Sequence, residues 1–475
     1  MQETRPNPWF TGLLALLVAG VMVFSLYPAF TSEGPSALRF VGESAGRKAD
    51  RHLYFYGGYE TVPAWERTMH RMLFSDRDSV QQKSIDIYAE TLEWFENNPR
   101  RTQPWNEQNT RARLLIALAE TGQREAFIAG LQDLGIGPEE DVLAATLAHA
   151  YGVKAETLNA AELRYGARMV PGGWGRDHLR MRLAQRAGDA ETVEAFRLAL
   201  ALRGQEMRER LRWLGGSVAL TLALGLILLA RARVFTHPPP WRAAVLDQPW
   251  AAGKGFAVIV RAALYAILVV VGIGLFQEHY FRPGILSMWI TLVAALPMLW
   301  LIHRHLLKPR GIGFVEGFGL SLRGVGLRAF AAVTVVLVAV HWAGNMLIAS
   351  LGWGLGLESH WSQGIHELSM FGSWRNTLLT AVNAVLWASV IEEIAFRGLV
   401  YVTLRSVMRP WVAILLSAAL FSLLHLYAFI AMMAVFWSGV LLAWSFERFR
   451  SLLPAMAVHG IGNGVAVATL LLFYR

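Results

Sequence analysis

VIEEIAFRGLV, residues 390–400, places two carboxylates and a guanidinium inside a run that otherwise reads as a membrane-spanning helix. An ionised side chain at the bilayer centre costs roughly 2.5 kcal/mol or more, so Glu392, Glu393 and Arg397 need a reason to be there. Glu393 and Arg397 are four apart on one helix face, carboxylate first, the favourable order for an ion pair. Glu392 is turned about 100° from Glu393 and is left to face a neighbouring helix. The competing reading is a helix-end charge cluster with Arg397 snorkelling to the headgroups.

The surrounding chain sets the class. With 475 residues, 54% of them hydrophobic, it is too apolar for an ordinary soluble protein and too long for one domain. Apolar runs at 9–30, 213–230, 256–276, 285–302, 330–351, 378–400, 411–430, 432–446 and 454–473 predict an all-α, polytopic membrane helix bundle of about nine spans. A soluble α-helical domain is inserted after the first span. The first run lacks a small-residue cleavage site and reads as a retained anchor. The domains expected are an N-terminal anchor (1–30), an extracytoplasmic helical domain (31–212), additional membrane helices and loops (213–328) and a core at 329–475.

Charge sets the orientation. The net charge of +9 gathers near span ends, which fits a positive-inside bias better than a nucleic-acid surface. Basic clusters at HRHLLKPR (303–310), Arg405 with Arg409, and Arg448 with Arg450 follow alternate spans. With Arg231, Arg233 and Arg242 they fall on one side if the N-terminus is inside and 31–212 outside. Arg203, Arg208, Arg210 and Arg212 argue the other way, but translocated domains follow charge rules poorly. The absence of cysteine excludes disulfides, thiolate metal sites and a cysteine nucleophile. Composition points to a prokaryotic inner membrane.

Within 31–212, the stretches around Gly122 and Gly188 share a helix, Gly-polar turn, helix pattern similar to tetratricopeptide hairpins, whose period is about 34 residues. Two copies do not make a repeat, and an irregular helical domain explains them equally well. MVPGGWGRD (169–177) marks a break between helices. Nothing here carries a catalytic motif, which leaves a recognition or scaffolding role and a protein partner by elimination. In the loop at 352–376, Trp353, Trp361 and Trp374 suit a membrane interface, while the spacing of Glu358, His360, His366 and Glu367 matches no metal motif. Arg261 reads as a snorkelling residue and His341 as a satisfied interior histidine.

Two later spans offer partners for Glu392. Phe421 and His425 are four apart in ALFSLLHLY, and His459 and Asn463 are four apart in MAVHGIGNGV. Gly460, Gly462 and Gly464 let another helix approach closely. One carboxylate, two imidazoles and a carboxamide can thus converge in a bundle interior.

Glu-Glu-x-x-x-Arg, Phe-x-x-x-His and His-x-x-x-Asn, in this order on successive helices, resemble the type II CAAX prenyl endopeptidases and their bacterial relatives, the CPBP or ABI family of intramembrane proteases. The resemblance covers about 330–474 and leaves the first ~210 residues outside it. It implies an intramembrane endopeptidase acting on a membrane-embedded or lipid-anchored polypeptide. It further implies that Glu392 with His425 activates water, that His459 with Asn463 stabilises the oxyanion, and that Glu393, Arg397 and Phe421 support them. The chemistry is coherent, since a carboxylate assisted by an imidazole can take the water's proton and N–H donors can meet the oxyanion. The resemblance permits zinc, which Glu392, His425 and His459 would ligate, or a metal-free glutamate mechanism, the version favoured here because HExxH is absent. Two other classes fit intramembrane Glu, Arg and His: an ion- or proton-coupled transporter, and a catalytically idle immunity or scaffold relative. No inverted repeat favours the transporter.

Overall fold

The computed structural model describes residues 11–18, 20, 40–74, 77–134, 138–153, 158–231, 240–280, 290–357, 371–425 and 427–474. Among these, every regular element is helical. The described residues divide into two compact units, the first 40–215 with 470–474 and the second the remainder up to Thr469, and the division after Gly215 falls inside one continuous helix.

The first unit holds α1 (Val41–Phe55), α2 (Ala64–Phe74), α3 (Arg77–Asn97), α4 (Pro104–Glu120), α5 (Arg124–Gln132), α6 (Pro138–Ala150), α7 (Ala160–Met169), α8 (Trp174–Arg186) and the start of α9 (Ala190–Arg231). Its core follows helical spacing: Ala45, Ala49 and Leu53 from α1 meet Tyr88, Leu92 and Phe95 from α3 and Leu115 and Ile116 from α4, all buried. The two glycine turns read as alike share one geometry. Gly122 (φ 82°) and Gly188 (φ 71°) take left-handed conformations just past α4 and α8. The next N–H reaches back into the helix, Gln123 to the Leu118 carbonyl and Asp189 to that of Ala184. Gly152 (φ 69°), with Val153 bonded to the Ala148 carbonyl, repeats the device after α6.

The second unit is a membrane helix bundle. Six helices among the described residues are long and apolar enough to cross a membrane: α9, the 252–269 part of α10 (Ala252–Tyr280), α12 (Leu327–Gly354), α13 (Trp374–Arg405), α15 (Phe429–Phe449) and α16 (Leu453–Tyr474). Of the other predicted runs, 9–30 and the beginning of 285–302 lie mostly outside the described residues, and α11 (Ile290–Leu301) covers the rest of the latter. The bundle is apolar outside and charged within. Leu347 and Leu386 are about 60% exposed, at 60% and 61%, whereas Glu393 and Arg397 are fully buried. That distribution suits a lipid surround and would be costly in water.

The run at 411–430 is corrected. Helix α14 (Pro410–Leu423) ends before His425. Its 14 residues rise roughly 21 Å, short of a hydrocarbon core of about 30 Å. His425 therefore sits at a helix break and not deep in a span.

Glycines set the close approaches. A Cβ at Gly439 on α15 would meet the Ala418 backbone of α14 at 2.9 Å, and one at Gly460 on α16 would meet the Val385 carbonyl of α13 at 2.7 Å. Gly460 thus presses α16 against the helix that carries Glu392.

Candidate active site

Helix α13 is not uniform. π-helical segments at Asn383–Ala388 and Ile394–Tyr401 flank the short α-helical turn Ser389–Glu393 that holds both glutamates. Wide turns of this kind leave backbone carbonyls able to accept from neighbours. The Ala384 carbonyl takes Asn463 Nδ2 (2.8 Å) and Ser389 Oγ (3.3 Å), and that of Phe396 takes Ser417 Oγ (3.1 Å).

Glu393 and Arg397 form the buried ion pair expected from their spacing, Nη1 to Oε1 at 2.8 Å. Arg397 Nη2 also donates to the Gly439 carbonyl at 3.3 Å, and the guanidinium lies 4.3 Å from the centre of the Phe421 ring. Phe421 presents its other contacts to His425 and His459, edge-on, with ring centres 4.6 and 5.9 Å away. One aromatic ring thus lies against the guanidinium and both imidazoles.

Sequence spacing did not reveal the second partner of Glu393. Its Oε1 also accepts from His459 Nδ1 at 2.9 Å, across 66 residues of chain. His425 Nδ1 lies 2.7 Å from the Phe421 carbonyl. A carbonyl and a carboxylate only accept, so both rings carry their proton on Nδ1 when neutral. Both Nε2 lone pairs are then free to face elsewhere.

They face Glu392. Its Oε2 is 3.8 Å from His459 Nε2 and 4.0 Å from His425 Nε2, and it is a buried atom with no hydrogen-bond partner. The side chain as a whole is 32% exposed. Glu392, His425 and His459 are thus brought together, all three as acceptors around a space wider than one hydrogen bond. A small donor such as water fits between them chemically. Asn463 lies one turn along α16 from His459 and is tied to Ala384, two turns before Glu392 on α13; its second amide N–H is not used in that bond.

The same three side chains are the predicted zinc ligands. Donors around a tetrahedral zinc with bonds of about 2.0–2.1 Å lie roughly 3.3–3.4 Å apart. The observed 3.8 and 4.0 Å are wider, and no group of three or more His, Asp or Glu among the described residues is arranged to hold a metal ion. As placed, the two imidazoles stand further from Glu392 than fellow ligands of a bound zinc would. Glu358, His360, His366 and Glu367 lie outside the described residues.

His341 on α12 is buried and bonded at both nitrogens, Nδ1 with Ser438 Oγ and Nε2 with Asn345 Nδ2, each at 3.2 Å. Its Nε2 is 3.4 Å from where a Gly462 Cβ would lie, so it packs against the helix that carries His459. His341 and Asn345 repeat the His-x-x-x-Asn spacing of His459 and Asn463.

Residues 374–465 match the family model described as type II CAAX prenyl endopeptidase Rce1-like. That segment holds all seven motif residues from Glu392 to Asn463, and the match agrees with the family implied by their order. No curated protein and no solved structure matches the chain.

Proposed function

We infer that the Rce1-like segment within a membrane helix bundle marks an integral membrane protein of the CAAX-type intramembrane protease kind in general. We propose that the chain hydrolyses a peptide bond of a membrane-embedded or lipid-anchored polypeptide by direct attack of water, with Glu392 as general base. The observation that carries this is the Glu392 carboxylate facing two imidazole Nε2 atoms whose Nδ1 protons are spent on other acceptors.

Water held by Glu392 Oε2 and His425 Nε2 gives a proton to Glu392 as its oxygen bonds to the substrate carbonyl carbon. The oxyanion takes the second N–H of Asn463 and, where His459 enters the step already as the imidazolium, its Nε2–H. His459 cannot supply that hydrogen bond in the neutral tautomer, because its one proton points to Glu393. The tetrahedral species then breaks its C–N bond, and the departing nitrogen takes back the proton that the water gave up. Glu393, Arg397 and Phe421 hold the rings in place.

We read 329–475 as the protease core, 31–212 as an extracytoplasmic domain with a protein partner, 213–328 as additional membrane helices and 1–30 as an anchor. The alternate basic clusters support an N-terminus inside, in a prokaryotic inner membrane. Purified protein in liposomes, given a library of membrane-anchored peptides, tests the reading. Cleavage lost in Glu392→Gln and His459→Ala but unchanged by chelator is expected. Cleavage in neither wild type nor variants, or cleavage abolished by chelator, would overturn it.

A further inference from the structure

Helix α2 is amphipathic the wrong way round for a soluble domain. Glu66 and His70 are buried, at 1% and 2% exposure, while Trp65 and Met69 on the adjoining face are 68% and 37% exposed. The buried face has a definite partner. Arg212 grips the Glu66 carboxylate with two bonds, Nε to Oε1 at 2.8 Å and Nη2 to Oε2 at 2.9 Å. His70 Nε2 stands 3.6 Å from the same carboxylate, and its Nδ1 is 3.3 Å from the Tyr59 hydroxyl.

One turn earlier on α9, Arg208 Nη1 donates to the carbonyls of Phe55 (2.6 Å) and Gly57 (2.8 Å), and Gly204 leaves no room for a Cβ beside the Gly57 carbonyl. The segment from Phe55 to His70 is therefore clamped onto α9 at 204–212. That is the last polar stretch before the helix turns apolar. Trp213, next to Arg212, is 81% exposed and opens the apolar part of a helix long and apolar enough to cross a membrane.

We propose that α2 is an interfacial helix, lying on the bilayer with Trp65 and Met69 in the headgroup and acyl boundary. The occupant of its apolar face is lipid, because the bidentate Glu66–Arg212 pair fixes α2 beside the residue at which α9 enters the hydrocarbon. A surface helix with one apolar side and a Trp at the boundary is the arrangement that binds in the plane of a membrane.

The chain has no cysteine, so single-cysteine labelling is free of background. Full-length Met69→Cys and, independently, Trp65→Cys are labelled with an environment-sensitive fluorophore in liposomes, with Glu191→Cys at the far end of α9 and Leu220→Cys within the span as references. Labels at 69 and 65 are expected to lose iodide quenching and shift to the blue, as at 220, while 191 stays fully quenched. Quenching at 65 and 69 equal to that at 191 would overturn the proposal. So would protection seen in liposomes but lost in nanodiscs holding one copy, which would show that a second copy covers the face. A quenched label at 220 would remove the span boundary at Trp213 and the proposal with it.

Discussion

Oxygen Oε1 of Glu393 is shared between Arg397 Nη1 at 2.8 Å and His459 Nδ1 at 2.9 Å, so one buried carboxylate links the charge that neutralises it to the imidazole facing Glu392. Replacing it by the neutral isostere Glu393→Gln keeps the volume but offers His459 an amide in place of a carboxylate. Turnover is expected to fall by about 10²-fold or more, the scale seen when the group orienting a catalytic histidine loses its charge. The check is single-turnover cleavage beside substrate binding, with kcat reduced more than KM is raised.

Arg397→Met tests the other half of that link. It leaves the Glu393 carboxylate buried without its guanidinium, a change expected to cost roughly 3–5 kcal/mol. The loss should appear as a lower thermal midpoint in detergent. Unchanged stability would mean that the pair is less buried than the 1% and 0% exposure of its side chains indicates.

Asn463→Ala removes both amide N–H groups. The bond to the Ala384 carbonyl is worth about 1 kcal/mol of stability, whereas loss of an oxyanion donor costs about 10²–10³ in kcat. A large fall in kcat with a small shift in melting is expected. If only the melting moves, Asn463 is a strut between α16 and α13 and no more.

Asp50, in the outer unit, gives a pH signature. Burial pushes its carboxyl up to about 6 from an ordinary 3.8, against the opposing pull of Arg113, the Trp174 N–H and the Tyr88 hydroxyl. A raised carboxyl favours the folded state most when protonated. Its contribution is complete below about pH 3.8 and is lost as pH rises through 6, a change on the order of 2–3 kcal/mol. Burial holds His52 and His178 below the ordinary histidine range and acts in the opposite direction. The readout is therefore a difference between chains. Asp50→Asn should protect α8 from hydrogen exchange more than wild type does at pH 8, and no more than wild type at pH 4.

The motifs were legible because a spacing of four puts two side chains on one helix face: Glu393 with Arg397 in a true pair, and Phe421 with His425 in ring contact. What lay between helices was not. Nothing local ties Glu393 to His459, or Glu66 to Arg212, because each pair is made by packing of distant segments. The break before His425 was missed for a different reason. No glycine or proline interrupts SLLHLYAF, so hydropathy ran straight through a helix that stops at Leu423. The π-helical turns around Ser389–Glu393 leave no mark on composition either.

The central claim is that Glu392 takes the proton from water. Its side chain is partly exposed and its Oε2 makes no hydrogen bond, so Glu392→Gln should leave the fold intact. The decisive measurement is the single-turnover cleavage rate of that variant on a membrane-anchored peptide that the wild type cuts, with thermal melting recorded alongside. A fall on the order of 10²–10⁴ at unchanged melting is expected for removal of a general base. Cleavage within a few-fold of wild type would contradict the assignment.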